Sequence, residues 1–369
     1  FHSPPQNIVY ADRTGTIGFT AAARVPIRRR GDGRQPVPGW SGAYDWIGEI
    51  PFAALPMMVN PPSGRIVAAN NKIVPDDYPY LLTARWRAPY RARRIEDLLD
   101  GIAPLAGAAP GTPEGAQAMQ QDVISLAARE LLALLLQTKP TSERGREALA
   151  ILRNWDGAMR RDSPAPLIFY AWVKALNSVL MADELGPDFP DFQHSVLERL
   201  TSLLRTGALW CDDVTTQDKE DCPQQLARAL EMALNDLAIR FRRPVGRLQW
   251  GEAHIFRFAH PVLNNVPILG TLFEKPVSVA GGSYTINRAG VGFSDRSRYM
   301  FEDIYGPGYR AVYDLADLDN SRFMIATGQS GNPLSPFYGN LTPRWRDGDY
   351  IKLAGGGKAP AHRLVLTPR

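Results

Sequence analysis

The stretch Val59–Tyr80, VNPPSGRIVAANNKIVPDDYPY, decides how the rest of the chain is read. Asn60, Pro61, Pro62, Ser63 and Gly64 are residues that favour a turn. The apolar run Ile66, Val67, Ala68, Ala69 that follows predicts a short strand. Asn70 and Asn71 stand at its end, before a proline-bounded polar exit. An uncharged side-chain amide donates two hydrogen bonds. That suits Asn70 to hold an oxyanion as it develops. The alternative is a pair of turn residues that merely cap the strand.

Toward the N-terminus, NIVYAD and TIGFTAAARV read as two strands joined at the turn Asp12-Arg13-Thr14-Gly15. Pro26–Gly48 is rich in Gly and Pro and carries Trp40, Tyr44 and Trp46. Such a loop either shapes a cleft or packs its aromatics over a core edge. Toward the C-terminus the texture changes at Ile95. Apolar residues then recur at helical spacing through Phe241, with helix starts expected at Thr112-Pro113-Glu114 and Thr141-Ser142-Glu143. From Lys275 the pattern returns to strands, in KPVSVAGGSYTINRAGVGF and YRAVYDLADLDNSRFMIATG, and RWRDGDYIKLAGG predicts a last strand or turn. The order strand, helix, strand predicts an α+β chain whose sheet is closed by strands distant in sequence. Three regions follow: a β-rich part over 1–94, a largely helical middle segment over 95–243, and returning strands with a polar tail over 244–369.

The chain has 369 residues, 44% hydrophobic and 22% charged, with a formal net charge of +4. That length is ample for one large domain or two. Arg28–Arg30 and the group Arg85, Arg87, Arg91, Arg93, Arg94 make cationic clusters. So small a net charge favours a solvated face or ion pairs over nucleic-acid binding. No apolar run reads as long enough to cross a bilayer.

Cys211 and Cys222 bracket a short polar loop, WCDDVTTQDKEDC. The pair reads as one disulfide, with two free thiols as the alternative, and a disulfide favours export. His194 is not at zinc-finger spacing, and no metal site is expected within the chain. GGGK at Gly355–Lys358 lacks the spacing of a phosphate loop. His254 and His260 are too far apart for a one-turn metal pair. GQSGNPLS does not match a nucleophile elbow, so Ser330 reads as a turn residue. The residues alone describe an α+β protein with a cleft-like loop region and no self-contained catalytic set.

Several stretches, in order, resemble one family. NIVYADRTGTIGF, VPIRRRGDG, PVPGW, IPFAALPMMVNPPSGRIVAANN, DYPYL, YRARRIEDLL, NWDG, WGEAH with HPV, GGSYTINR and GQSGNPLS are similar to the β subunit of penicillin acylases, which are N-terminal-nucleophile hydrolases. The resemblance implies a four-layer αββα sandwich assembled from two chains of one precursor. It implies a serine nucleophile at the β-subunit N-terminus, assisted by its own α-amino group. It maps the oxyanion asparagine to Asn70, and to Arg91 the arginine that organises the site, with Arg93 or Arg94 as alternative registers.

The resemblance also implies what this chain lacks. Ser3 is internal and is not the nucleophile, so the nucleophile is expected outside this chain, which is expected to be inactive alone. Its expected partners are the α subunit and the N-terminal part of the β subunit, with a small N-acyl substrate and neither nucleic acid nor membrane. The expected location is periplasmic or secreted. A calcium ion is an expectation for the complete enzyme only, with at most a backbone carbonyl from Asp32–Arg34 contributed here. An acyl-homoserine lactone acylase, or a non-catalytic module binding acidic partners through Arg85–Arg94, is the alternative reading.

Overall fold

The computed structural model describes residues 2–105, 107–193, 196–293, 299–354 and 365. His194 and the GGGK stretch lie outside them. The chain begins with strands β1 (Gln6–Ala11), β2 (Ile17–Ala22), β3 (Pro26–Arg28), β4 (Trp46–Glu49) and β5 (Met57–Val59). Helices α1 (Tyr90–Leu99), α2 (Pro113–Gln120), α3 (Leu126–Leu135), α4 (Glu143–Arg153), α5 (Ala165–Leu185), α6 (Val196–Thr206), α7 (Cys222–Phe241) and α8 (Trp250–Ala253) follow. The last part contains β6 (Ile255–Phe258), α9 (Leu269–Phe273), β7 (Lys275–Ser278), β8 (Tyr309–Val312), β9 (Arg322–Ile325), α10 (Thr342–Asp347) and β10 (Ile351–Lys352). The expected α+β class holds.

The opening hairpin forms as predicted, with β1 antiparallel to β2. The Asp12 carboxylate closes the turn by accepting from the Thr14 amide at 2.8 Å and the Thr16 amide at 3.2 Å. Gly15 takes a positive φ of 90° there, the conformation glycine adopts without strain. The two expected helix starts are capped. Thr112 accepts from the Gly115 amide at 3.0 Å, and Ser142 from the Gly145 amide at 2.9 Å. Asp221 and Gln224 form a reciprocal capping box at the start of α7.

The helical core is built around α5, which packs against α7, α4 and α6. Leu167, Ile168, Phe169, Tyr170, Trp172 and Val173 are all buried, because α5 is apolar on nearly every face. Buried polar atoms find partners: the Trp172 indole donates to the Leu226 carbonyl at 3.1 Å and the Trp250 indole to the Gly281 carbonyl at 3.0 Å. By length and composition the segment Ala165–Phe192 is apolar enough to cross a membrane, which corrects the sequence expectation. Its apolar window is 72% buried inside the protein, as in a core helix.

Four further expectations change. Ile66–Ala69 is not a strand; the strand is Met57–Val59, ahead of the turn. The Ala69 amide is taken by the Asn71 side chain at 3.0 Å, not by a neighbouring strand. Helix α1 begins at Tyr90, not Ile95, because its arginine-rich first turn hides the apolar period. The segment before the last strand is helix α10. Among the described residues the strands make four separate small sheets, β1-β2-β5, β3-β4, β6-β7 and β8-β9-β10, and no ladder joins the first part to the last. Every one of these pairings is antiparallel.

All residues of β1, β4 and β5 are exposed. Trp40 is 92% exposed and Trp46 is 67% exposed, so neither packs over a core edge. The second half has its own small core of Val277, Val279, Met324, Trp345 and Tyr350.

Candidate active site around Asn70 and Arg91

Asn70 lies in the turn after Ala69 with φ at +63°. Asparagine accepts this left-handed conformation more readily than most residues because its short polar side chain bonds locally. The side chain is exposed while Ala69 beneath it is buried. The Asn70 carbonyl accepts from the Arg87 amide at 3.2 Å, which ties the turn to the segment leading into α1.

Arg91 sits in the first turn of α1 and reaches back to this turn. Its Nη2 donates to the Ala69 carbonyl and to Asn70 Oδ1, each at 2.8 Å. The second bond fixes the asparagine amide: the oxygen faces the guanidinium, so the Nδ2 donor is presented on the other side. No partner of Nδ2 is found among the described residues. An amide nitrogen held this way is a pre-oriented donor.

The alternative registers do different work. Arg94 is buried in an ion pair with Asp122, Nε to Oδ1 at 3.0 Å and Nη2 to Oδ2 at 2.6 Å. Arg93 is exposed. The Arg-rich group therefore does not act as one surface: Arg94 is structural, Arg91 serves Asn70, and Arg85, Arg87 and Arg93 remain exposed.

Two cavities meet at the Asn70–Arg91 pair, and both residues line each of them. One, of about 750 Å³, is largely aliphatic, with Val25, Leu55, Ile66, Ala68 and Ile73 on its walls. The other, of about 560 Å³, runs toward α6 and is bounded by Arg87, Glu198, Tyr284, Arg288 and Tyr305. Tyr284 donates its hydroxyl to Glu198. Burial, then the neighbouring Glu198 charge, push the Tyr284 hydroxyl up. The Arg288 guanidinium lies 4.6 Å from the Tyr305 ring centroid. Burial, then the positive charges of Arg288 and Arg87, push the Arg91 guanidinium down.

Asp303, behind this wall, is pushed up to about 7 by burial. Its Oδ1 accepts from the Tyr305 amide at 3.0 Å, whereas Oδ2 is buried without a partner among the described residues. Sequence reasoning missed Arg288, Tyr305 and the Tyr284–Glu198 pair. GGSYTINR carried two of them as a motif, but nothing in its spacing pointed to a cavity 218 positions from Asn70 (288 − 70).

The remaining candidates are structural. Cys211 and Cys222 form a disulfide that ties the start of α7 to the turn before it, and neither lines the two cavities. His254 is fully buried, stacks on Trp250 with ring centroids 4.4 Å apart, and meets the Phe301 carbonyl at 2.6 Å through Nδ1. Burial pushes it down to about 4, so it is a neutral core residue at ordinary pH. Ser330 accepts from the Asn332 amide at 3.1 Å, a turn contact.

The residues present do not fit a calcium ion by themselves. Among the described residues no three His, Cys, Asp or Glu side chains gather into a metal site. The Asp32 carboxylate is already taken by Arg34, through the backbone amide at 3.0 Å and Nε at 2.5 Å.

The profile of the penicillin amidase family matches residues 1–359. Penicillin acylase 2 proenzyme of Pseudomonas sp. (strain SE83) is 34% identical over 92% of the chain. An acyl-homoserine lactone acylase of Pseudomonas syringae pv. tomato is 31% identical over 98% of it. The chain spans 43% and 46% of those two proteins, less than half of each. A thermostable penicillin G acylase from Alcaligenes faecalis shares the fold, with a TM-score of 0.62 over 98% of this chain and 68% of that one, at 18% identity. With a profile match over almost its full length, the chain belongs to the penicillin amidase family.

Proposed function

We propose that this chain is the C-terminal part of the β subunit of an enzyme that hydrolyses a linear amide in a small N-acyl compound. The single observation that carries the reading is the Arg91-held Asn70 amide, whose free Nδ2 opens on two adjoining cavities. In this reading a serine outside the chain adds through its hydroxyl oxygen to the substrate carbonyl. Asn70 Nδ2 donates to the carbonyl oxygen as negative charge gathers on it. The C–N bond then breaks, the amine leaves with a proton, and an acyl ester remains on the serine. Water cleaves that ester and releases the acid. Arg91 is a positioning residue: it selects the rotamer and the amide face of Asn70.

The partners in this proposal are the α subunit and the N-terminal part of the β subunit from the same precursor. The uncovered apolar residues of β1, β4 and β5 supply the face for them, including Val9, Tyr10, Ile47, Met57 and Val59. Isolated, the chain would then be inactive. A periplasmic or secreted location agrees with the disulfide. Calcium, if the complete enzyme holds it, takes its side-chain ligands from outside this chain.

The test is Asn70→Ala in the complete, processed enzyme. The kcat should fall by about 10²–10³, with the circular dichroism spectrum unchanged. Near-normal turnover in that variant defeats the assignment. A second reading, hydrolysis of an acyl-homoserine lactone, is favoured by the relative from P. syringae pv. tomato, which matches 98% of the chain. Steady-state rates on N-acyl-homoserine lactones and on N-phenylacetyl amides decide between the two.

A further inference from the structure

Arg91 can hold Asn70 only while α1 keeps one rotation about its axis, and little apolar packing at the start of that helix sets it. Over residues 90–94 the buried apolar surface is the Ala92 methyl and part of the Tyr90 ring. The next fully buried apolar side chain is Leu98, a turn further on. Pro89 at the N-cap offers no side-chain cap, and no acidic residue stands in the first turn to meet the helix dipole. The Tyr90 hydroxyl donates to Glu130 Oε2 at 2.7 Å. One bond at the far end of a side chain fixes a distance and leaves the helix free to turn about it.

Arg94 supplies the direction. It stands three residues after Arg91, on the neighbouring part of the same face. It meets Asp122 as a fork on a carboxylate, Nε to Oδ1 at 3.0 Å and Nη2 to Oδ2 at 2.6 Å. The two side chains are 8% and 13% exposed, so water competes little for these bonds. Two parallel N–H donors fix orientation as well as distance. A turn of α1 by roughly 20° sweeps groups at its surface, about 5–6 Å from the axis, through about 2 Å. That is enough to break the 2.8 Å bonds from Arg91 to the Ala69 carbonyl and to Asn70 Oδ1.

Asp122 is itself a fixed post. Its Oδ1 also accepts from the Ile124 amide at 3.1 Å. On the side of the helical core, the Val123 carbonyl accepts from the Met159 amide at 2.9 Å, and the Ser125 amide donates to the Gly157 carbonyl at 3.0 Å. On the other side, the Asp122 carbonyl accepts from the Asn287 amide at 2.9 Å. Asn287 is locked in turn, since its Oδ1 accepts from Arg310 Nη2 at 2.7 Å. The helical core and the last third of the chain converge on Asp122, and the fork carries their position to α1. Neither Arg94 nor Asp122 lines the two cavities that meet at Asn70.

We propose that Arg94 and Asp122 are positioning residues for the candidate site. Their ion pair sets the rotation of α1, so that Arg91 meets Asn70 Oδ1 and leaves Nδ2 aimed at the substrate carbonyl. This rests on the amidase reading above.

The experiment uses the complete processed enzyme and separates positioning from stability. Removing one partner leaves a buried charge unpaired and can unfold the protein, so the main variant replaces both: Arg94→Met with Asp122→Leu. Apolar groups of similar volume replace a buried pair at little or no loss of stability. This double variant should keep its Tm or gain, while kcat falls about 10- to 100-fold and KM changes by less than about threefold. Arg94→Lys keeps the charge without the fork, and its kcat should lie between the two. Leu98→Ala is the control: it should lower Tm and leave kcat near the starting value. In an Arg91→Ala enzyme the double substitution should lower kcat no further, because it acts through Arg91.

An unchanged kcat in the folded double variant overturns the proposal. So does a full further loss in the Arg91→Ala background. Equal kcat losses in Leu98→Ala and in the double variant also overturn it, because any loosening of α1 would then suffice. If Asn70→Ala leaves turnover untouched, the amidase reading fails, and the ion pair is then judged by a crystal structure of the double variant. Loss of the bond from Arg91 to Asn70 Oδ1 supports the proposal; its retention at 2.8 Å refutes it.

Discussion

The helical half and the opening strands of this chain are finished to different degrees. Leu131, Leu135, Leu149, Leu152 and Trp172 have no solvent exposure, in one continuous core spanning α3 to α7. Val9, Tyr10, Met57 and Val59 are apolar residues of strands too, yet they are 50–69% exposed. A helix bundle buries its apolar stripes against its own neighbours. A small sheet with one bare face needs a second layer, and that layer is not found among the described residues. The contrast marks the face of the opening strands that the described residues leave uncovered, and Asn70 and Arg91 border it, since they share a cavity with Val9.

The contrast can be broken most decisively with one substitution in each half of the isolated chain. Leu149→Ala should lower unfolding free energy in urea by about 2–5 kcal/mol. Val59→Ala should change it by about 0.5 kcal/mol or less. Equal costs would mean that the strands are as well covered as the helices. In the complete protein the Val59→Ala cost should rise, and a value that stays flat there would remove β5 from the interface.

The inner seam between the helical core and the last strands gives the next effect. Asp303 is raised by burial from 3.8 to about 7, so its proton is held more tightly in the folded state. Folding then takes up a proton between those values, and the Asp303 contribution to stability falls as pH rises through that window. Asp303→Asn should remove this slope. Wild type should lose on the order of 3 kcal/mol relative to the variant between pH 4 and pH 7. A wild-type-minus-variant difference that is flat with pH refutes it.

The disulfide sharpens the helical side. Cys211 and Cys222 are 11 positions apart, and opening a loop of that length by Cys211→Ser with Cys222→Ser should cost about 3 kcal/mol. Unchanged stability on adding a thiol reductant would show that the helices hold without the bridge. Smallest is the cap: Ser142→Ala should cost about 1 kcal/mol through the lost bond to Gly145. No change in the urea midpoint would mean that α4 is held by packing alone.

The sequence was legible wherever a local signal sufficed. Asp12 and Gly15 announce the hairpin turn, Thr112 and Ser142 the caps, and the apolar period the long helices. It misled where a side chain replaced a backbone partner. Ile66–Ala69 has strand composition, yet Asn71 takes the Ala69 amide and no ladder forms. The start of α1 was hidden because arginines occupy its first turn, and one of them, Arg91, serves the candidate site. Asn70 and Arg91 came from the ordered motifs of a family, and the structure brings them together at 2.8 Å. Arg288 and Tyr305 could not be foreseen, since their place beside Arg87 depends on how the last third of the chain packs back against α1 and α6.

The turn that carries Asn70 imposes two filters on one position. Its φ of +63° admits glycine, asparagine and aspartate with least strain. Of these, glycine has no side chain to offer and aspartate, when ionised, only accepts. Anyone building variant libraries of this chain should therefore hold codon 70 constant and randomise around it.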